Sequence, residues 1–236
     1  MSSDSKDAGA MESLYPFLYA ETSDLPAVLE EVRVSTVAKT EEIAELRREI
    51  ARRDSERIAA CARDMAARFA AGGRLFAFGN GGSATDAAQL ATLFLHPPAL
   101  LNPAGASGAA PPLPAFGLAN DTSVVTALCN DIGVDVVFAR QLGAFGRAGD
   151  IAVGLSTSGN SPNLLRAFDE ASRRGLLTIG LAGYDGGKMA ELATIDYLFV
   201  APSTSIHRIQ EAQTTIYQVL WELTAAEVAH VSRDSG

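Results

Sequence analysis

The chain has 236 residues, 47% of them apolar and 20% charged, a globular composition that excludes general disorder. Lysine and arginine total 19 against 28 aspartates and glutamates, and the net charge of −9 argues against nucleic acid or an anionic membrane as a direct partner. An anion bound by such a chain is held by local backbone dipoles and hydroxyls, because the overall field repels it.

The only cysteines, Cys61 and Cys129, form no CxxC pair, so neither a disulfide framework nor a cysteine zinc site is expected, and a reducing cytoplasm fits. The opening MSSDSKDAGA lacks the apolar core of a signal peptide, and no apolar run approaches the roughly 18 residues of a membrane span. Residues 1–23 read as a flexible tail. Residues 24–71 are strong helix formers with apolar positions at helical spacing: Val28, Leu29, Val32, then Ile43, Leu46, Ile50, then Ile58, Cys61, Met65, Phe69. Two helices fit, broken near Ser35 to Thr40 and stopped at Gly72 and Gly73.

Across 72–236 the pattern changes period. LFAFG (75–79), PAFGL (114–118), IAVGL (151–155), LLTIGLA (176–182) and YLFV (197–200) are short apolar runs bounded by turn residues. Helical stretches separate them: Ser83 to Leu95, Ser123 to Phe145, Asn160 to Arg174, a brief one near Lys188 to Leu192, and a last long one from Ile206 to Val231. Strand–helix alternation predicts a three-layer, doubly wound α/β domain with a parallel five-stranded sheet covered on both faces. HPPALLNPAGASGAAPPLP (96–114) holds six of the ten prolines and reads as a long surface loop, an insertion more than a lid.

In an open α/β sheet, ligands bind beyond the carboxyl ends of the strands. Two strand ends stand out. GNGGSATD (79–86) follows the first strand; its glycines allow close approach of backbone to ligand, and Ser83 opens a helix with free N–H groups. STSGNS (156–161) follows the third, with hydroxyls at Ser156, Thr157, Ser158 and Ser161 around a glycine turn at a helix start. Neutral donors, turn amides and a helix dipole suit a phosphate monoester without any lysine. The bland alternative, hydroxyls that only cap helices and fill turns, explains such a cluster less well.

Other chemistries fit poorly. Gly79, Gly81 and Ala84 match a dinucleotide GxGxxA pattern, but the acidic residue due about 20 positions on would fall at Ala99, within the proline-rich loop. Ser156, Asp185 and His207 occur in hydrolase order without a GxSxG elbow. Asp121, at the end of the second strand, either holds sugar hydroxyls or caps the next helix. His96, His207 and His230 have no metal-ligand spacing.

The stretches FGNGGSATDAAQ, NDTSVVTALCNDIG, FARQLGAFGRAGDIAVGLSTSGNSPN, GYDGGKMA and HRIQEAQ together resemble the phosphoheptose isomerases, which are sugar isomerase (SIS) domain proteins acting on sedoheptulose 7-phosphate. The similarity runs collinearly over about residues 45–230. It implies a flavodoxin-like fold, phosphate ligands at Ser156, Thr157, Ser158 and Ser161, and a sugar site lined by Asn80, Gly81, Ser83, Asp121 and Gln210. It also implies a homotetramer assembled through the N-terminal helices. The family's first helix carries His and Glu four residues apart, where this chain has Gln89 and Leu93. Its last helix carries a glutamine, kept as Gln210, and eight residues on a histidine, replaced by Gln218. The resemblance therefore implies loss of the family's zinc and acid–base set, and no metal cofactor is expected. Gln89 and Gln218 can still hydrogen-bond sugar hydroxyls. Isomerisation through an enediol needs a titrating group, and the substitutes near this site in sequence are Glu211, His207 and Asp86. The alternative is a non-catalytic phosphosugar-sensing or assembly protein.

Overall fold

The computed structural model describes residues 25–97 and 112–234. The expected tail (1–23) and most of the proline-rich segment fall outside the described residues. The chain divides into two compact units, Met1–Glu42 and Ile43–Gly236.

One helix, α1 (Leu25–Ala70), stands where two were expected. Ser35 to Thr40 contains no glycine or proline, and its threonines are satisfied within the helix. Thr36 Oγ1 donates to the Val32 carbonyl at 2.7 Å, and Thr40 Oγ1 to the Thr36 carbonyl at 3.0 Å. In the first unit Leu25, Leu29 and Val32 are exposed. In the second unit Ile43, Leu46, Ile50, Ile58, Met65 and Phe69 are buried along one stripe.

The rest alternates as the sequence predicts: β1 (Leu75–Gly79), α2 (Gly82–Leu95), β2 (Ala115–Gly117), α3 (Thr122–Asp131), α4 (Val137–Phe145), β3 (Ile151–Ser156), α5 (Pro162–Arg173), β4 (Leu177–Gly183), β5 (Tyr197–Ala201) and α6 (Ile206–Asp234). Short 3-10 turns occupy Val134–Val136 and Gly187–Glu191. The expected single helix from Ser123 to Phe145 is two. Gly133, at φ 127, ends the first because that backbone conformation cannot continue a right-handed helix.

All strand pairs are parallel, in the order β2-β1-β3-β4-β5. Side chains alternate across the sheet. Ile151, Val153 and Leu155 of β3 join one core with α1, α2 and α6; Ala152 joins the other, with Phe138 of α4 and Phe168 of α5. Both faces are thus covered, which is why the strands read as continuous apolar runs.

Two ionic features frame the sheet. Asp150, 3% exposed just before β3, accepts from Arg74 N at 2.9 Å, Arg74 Nη2 at 2.8 Å and Arg147 N at 2.9 Å. On edge strand β5, the carbonyls of Val200 and Leu198 accept from the guanidinium groups of Arg53 and Arg57 on α1. The Arg57 guanidinium also lies 5.6 Å from the Phe199 ring centroid. No helix among the described residues is long and apolar enough to cross a membrane.

Candidate functional site

The strand order reverses between β1 and β3: the chain passes from β1 to β2 on one side, then crosses to β3 on the other. Crevices at such a reversal are where open α/β sheets take ligands. Both motifs singled out in the sequence flank this one, GNGGS beyond β1 and STSGNS beyond β3.

At the tip of β3 the hydroxyls converge. Ser156 is 5% exposed, and its Oγ lies 3.4 Å from Ser161 Oγ while accepting from Gly159 N at 3.1 Å. Ser158 Oγ accepts from Asn160 N at 3.3 Å. Ser161 occupies the N-cap position of α5, yet its side chain makes no capping bond, and Pro162 follows in the first turn. Its side-chain partner among the described residues is Ser156 Oγ. Thr157 and Ser158 are half-buried.

The loop is held rigidly. A Cβ on Gly159, at φ +66, would sit 1.9 Å from the Gly186 carbonyl oxygen, so only glycine lets the β3 and β4 loops meet there. Lys188 N donates to Asn160 Oδ1 at 3.0 Å and Met189 N to the Gly159 carbonyl at 3.0 Å. Beneath the loop, fully buried Gln213 points Nε2 at the Ser156 carbonyl, 3.5 Å away, while its Oε1 has no hydrogen-bond partner among the described residues.

Asn80 and Asn163 exchange two amide hydrogen bonds of 2.9 Å each, tying the β1 loop to the first turn of α5. Ser83 is buried, and its N–H bonds the Asn80 carbonyl at 3.0 Å. Gly81, exposed at φ 55, occupies the N-cap position of α2. Gln210, in the first turns of α6, lies on the backbone at Gly82, where a Cβ would come within 2.4 Å of its Nε2. The same Nε2 is 3.5 Å from Asp86 Oδ2. Burial pushes the Asp86 carboxyl above the ordinary aspartate range, and the Gln210 amide offsets only part of that.

The structure therefore gathers Ser156, Ser158 and Ser161 on one side and Asn80, Ser83, Asp86 and Gln210 on the other. No side chain of the other residues named from the sequence hydrogen-bonds to these groups among the described residues. Asp121 caps α3, accepting from Val124 N at 3.1 Å. Gln89 and Gln218 are exposed on α2 and α6, Leu93 is 7% exposed within the core, and His207 is exposed at the start of α6. Glu211 is paired with Arg208 at 2.9 Å. Among the described residues no cluster of three His, Cys, Asp or Glu is placed to hold a metal ion. Sequence reasoning missed Asn163 and Gln213, which both stand inside the quoted motifs but whose contacts depend on which segments the fold brings together.

Residues 40–183 match the family model described as "SIS domain". The phosphoheptose isomerase of Pelodictyon phaeoclathratiforme is 46% identical over 180 residues, 76% of this chain and 82% of the relative. That of Chlorobaculum parvum is 44% identical over 189 residues, covering 79% and 86%. Among solved structures, the phosphoheptose isomerase of Neisseria gonorrhoeae superposes with a TM-score of 0.73 at 33% identity, covering 83% of this chain and 99% of that one. The Francisella tularensis enzyme gives 0.73 at 28% identity, covering 84% and 98%.

Proposed function

The chain belongs to the SIS-domain family, among the phosphoheptose isomerases, and on that premise we propose that it binds a sugar phosphate in the crevice between β1 and β3. Ser156, Thr157, Ser158 and Ser161 receive the phosphate; Asn80, Gly81, Ser83 and Gln210 line the sugar. The observation that carries this reading is the Ser161 hydroxyl. It stands at a helix N-terminus, 3.4 Å from Ser156 Oγ, and is not used as a cap. Helix dipole, turn amides and neutral hydroxyls stabilise a dianion while the chain's net charge opposes it. Asp121, expected among the sugar ligands, has its carboxylate engaged in capping α3.

A heptose phosphate such as sedoheptulose 7-phosphate is the substrate class the relatives' name supplies. The residues at the family's zinc and acid–base positions do not fit that chemistry here. Gln89 and Gln218 offer neutral amides, and Leu93 packs into the core without a polar atom. No step is derived through a metal. Of the three other proton carriers near the site, Glu211 is ion-paired and His207 points to solvent, whereas Asp86 is half-buried against Gln210. If the chain is an aldose–ketose isomerase, Asp86 is the group placed to move a proton between adjacent carbons. The second reading, a phosphosugar-binding protein without turnover, is favoured by Leu93. It replaces a titrating residue with one that buries itself.

Incubation with sedoheptulose 7-phosphate, followed by NMR with and without zinc, separates the two. Turnover lost in Asp86→Asn supports the enzyme; saturable binding without turnover supports the sensor; no binding overturns both. The exposed apolar side chains Leu25, Leu29 and Val32 support self-association as a homotetramer, which light scattering tests. A cytoplasmic location follows from the substrate class.

A further inference from the structure

One pair of side chains links the two segments that flank the crevice between β1 and β3. Asn80 Nδ2 donates to Asn163 Oδ1 and Asn163 Nδ2 donates to Asn80 Oδ1, both at 2.9 Å. The two residues are differently placed. Asn80 is exposed in the loop after β1, and its backbone is fixed where its carbonyl accepts from Ser83 N at 3.0 Å. Asn163 is 4% exposed in the first turn of α5.

Local structure gives no reason for an asparagine at position 163. Asparagine is a weak helix former, and its usual service at a helix start is to cap that helix with its side chain. Here the amide turns to Asn80 instead. A leucine would fill similar space without burying a polar group. What the Asn163 amide does is hold Asn80. An asparagine side chain carries two N–H donors and two acceptor lone pairs, and the pair uses one of each on Asn80. One N–H and one lone pair remain, on an exposed side chain whose direction is already set. A sugar hydroxyl, which both donates and accepts, suits such an edge. An unheld asparagine would lose its rotamer freedom on binding, and that cost would come out of affinity.

We propose that Asn163 is a positioning residue for the sugar: through its paired amide bonds it orients Asn80, whose remaining N–H and lone pair meet a hydroxyl of the bound sugar phosphate. Asn163 has this role only where the crevice takes a sugar phosphate as read above, and the test keeps the two apart.

Sedoheptulose 7-phosphate is titrated calorimetrically into the full chain as wild type, Asn163→Leu, Asn80→Ala and the double variant. Inorganic phosphate is measured as its competitor. Asn163→Leu should bind the sugar phosphate about two- to tenfold more weakly, the cost of immobilising one side chain. Phosphate should compete with unchanged affinity. In the Asn80→Ala background Asn163→Leu should cost nothing further, because no amide is left to orient. If the leucine variant does not fold, Asn163→Asp keeps the acceptor for Asn80 Nδ2 and repeats the cycle. Its added charge acts with or without Asn80 and cancels there, so the cycle alone decides. Unchanged sugar-phosphate affinity in Asn163→Leu, an equal loss for both ligands, or the same loss with and without Asn80 overturns the role of Asn163 and leaves the phosphate loop standing. A wild type that does not bind the sugar phosphate, or from which inorganic phosphate does not displace it, overturns the underlying reading instead.

Discussion

Ser161→Ala separates a binding hydroxyl from a structural one. At an N-cap, removing a serine side chain ordinarily costs about 1 kcal/mol of stability, because a helix N–H loses its acceptor. Here the Ser161 side chain makes no capping bond, so the fold should lose well under that amount. Binding should suffer instead. One hydrogen bond to a charged phosphate contributes about 1.5–3 kcal/mol, so the dissociation constant should rise by a factor of about 13 to about 160. Ser156→Ala is the contrast. Its Oγ also accepts from buried Gly159 N at 3.1 Å, so that variant should lose affinity and, in addition, about 1–3 kcal/mol of stability from the stranded donor. Calorimetry with a sugar phosphate and urea unfolding of both variants read the two quantities independently. A Ser161→Ala protein with wild-type affinity, or one whose loss of affinity comes with a cap-sized loss of stability, would refute the reasoning.

Further outcomes are open to measurement. Asp86 titrates above its ordinary value in the folded chain, so folding favours its protonated form. Its contribution is fully present below the unfolded aspartate value and is lost as pH rises through the raised folded value; urea unfolding across that window should show a decline that Asp86→Asn flattens. Asp150→Ala removes the buried member of the Arg74 pair and strands two backbone donors, and should cost about 3–5 kcal/mol in denaturant unfolding. Gly82→Ala displaces only the flexible end of Gln210, so the melting temperature should barely move while a crystal structure shows the amide turned away from Asp86. Zinc added to the wild type should leave its melting temperature unchanged, since a ligand stabilises only what it binds; a rise of several degrees would mean that the amides and Asp86 do bind metal.

The sheet was legible because its strands are buried on both faces and therefore read as uninterrupted apolar runs, IAVGL most plainly. The convergence of hydroxyls beyond β3 was legible because they crowd into six consecutive residues at a strand end. What escaped depended on partners distant in sequence. Asn163 looks like any helix-start asparagine until the fold brings Asn80, 83 residues earlier, against it. The expected helix break at Ser35 to Thr40 failed because β-branched and hydroxyl residues weaken a helix only slightly when their hydroxyls can bond the preceding turn. The opposite error, one helix from Ser123 to Phe145, came from underrating a single glycine.

The two guanidinium groups resting on β5 bear on how the sheet stops growing. Parallel strands at a margin offer a row of acceptors to any passing extended chain. On this margin Val200 and Leu198 already have theirs engaged by Arg53 and Arg57, and positive charge stands where a sixth strand would have to approach. The long first helix thus acts as a selvedge, finishing the woven edge so that it does not catch on a neighbour.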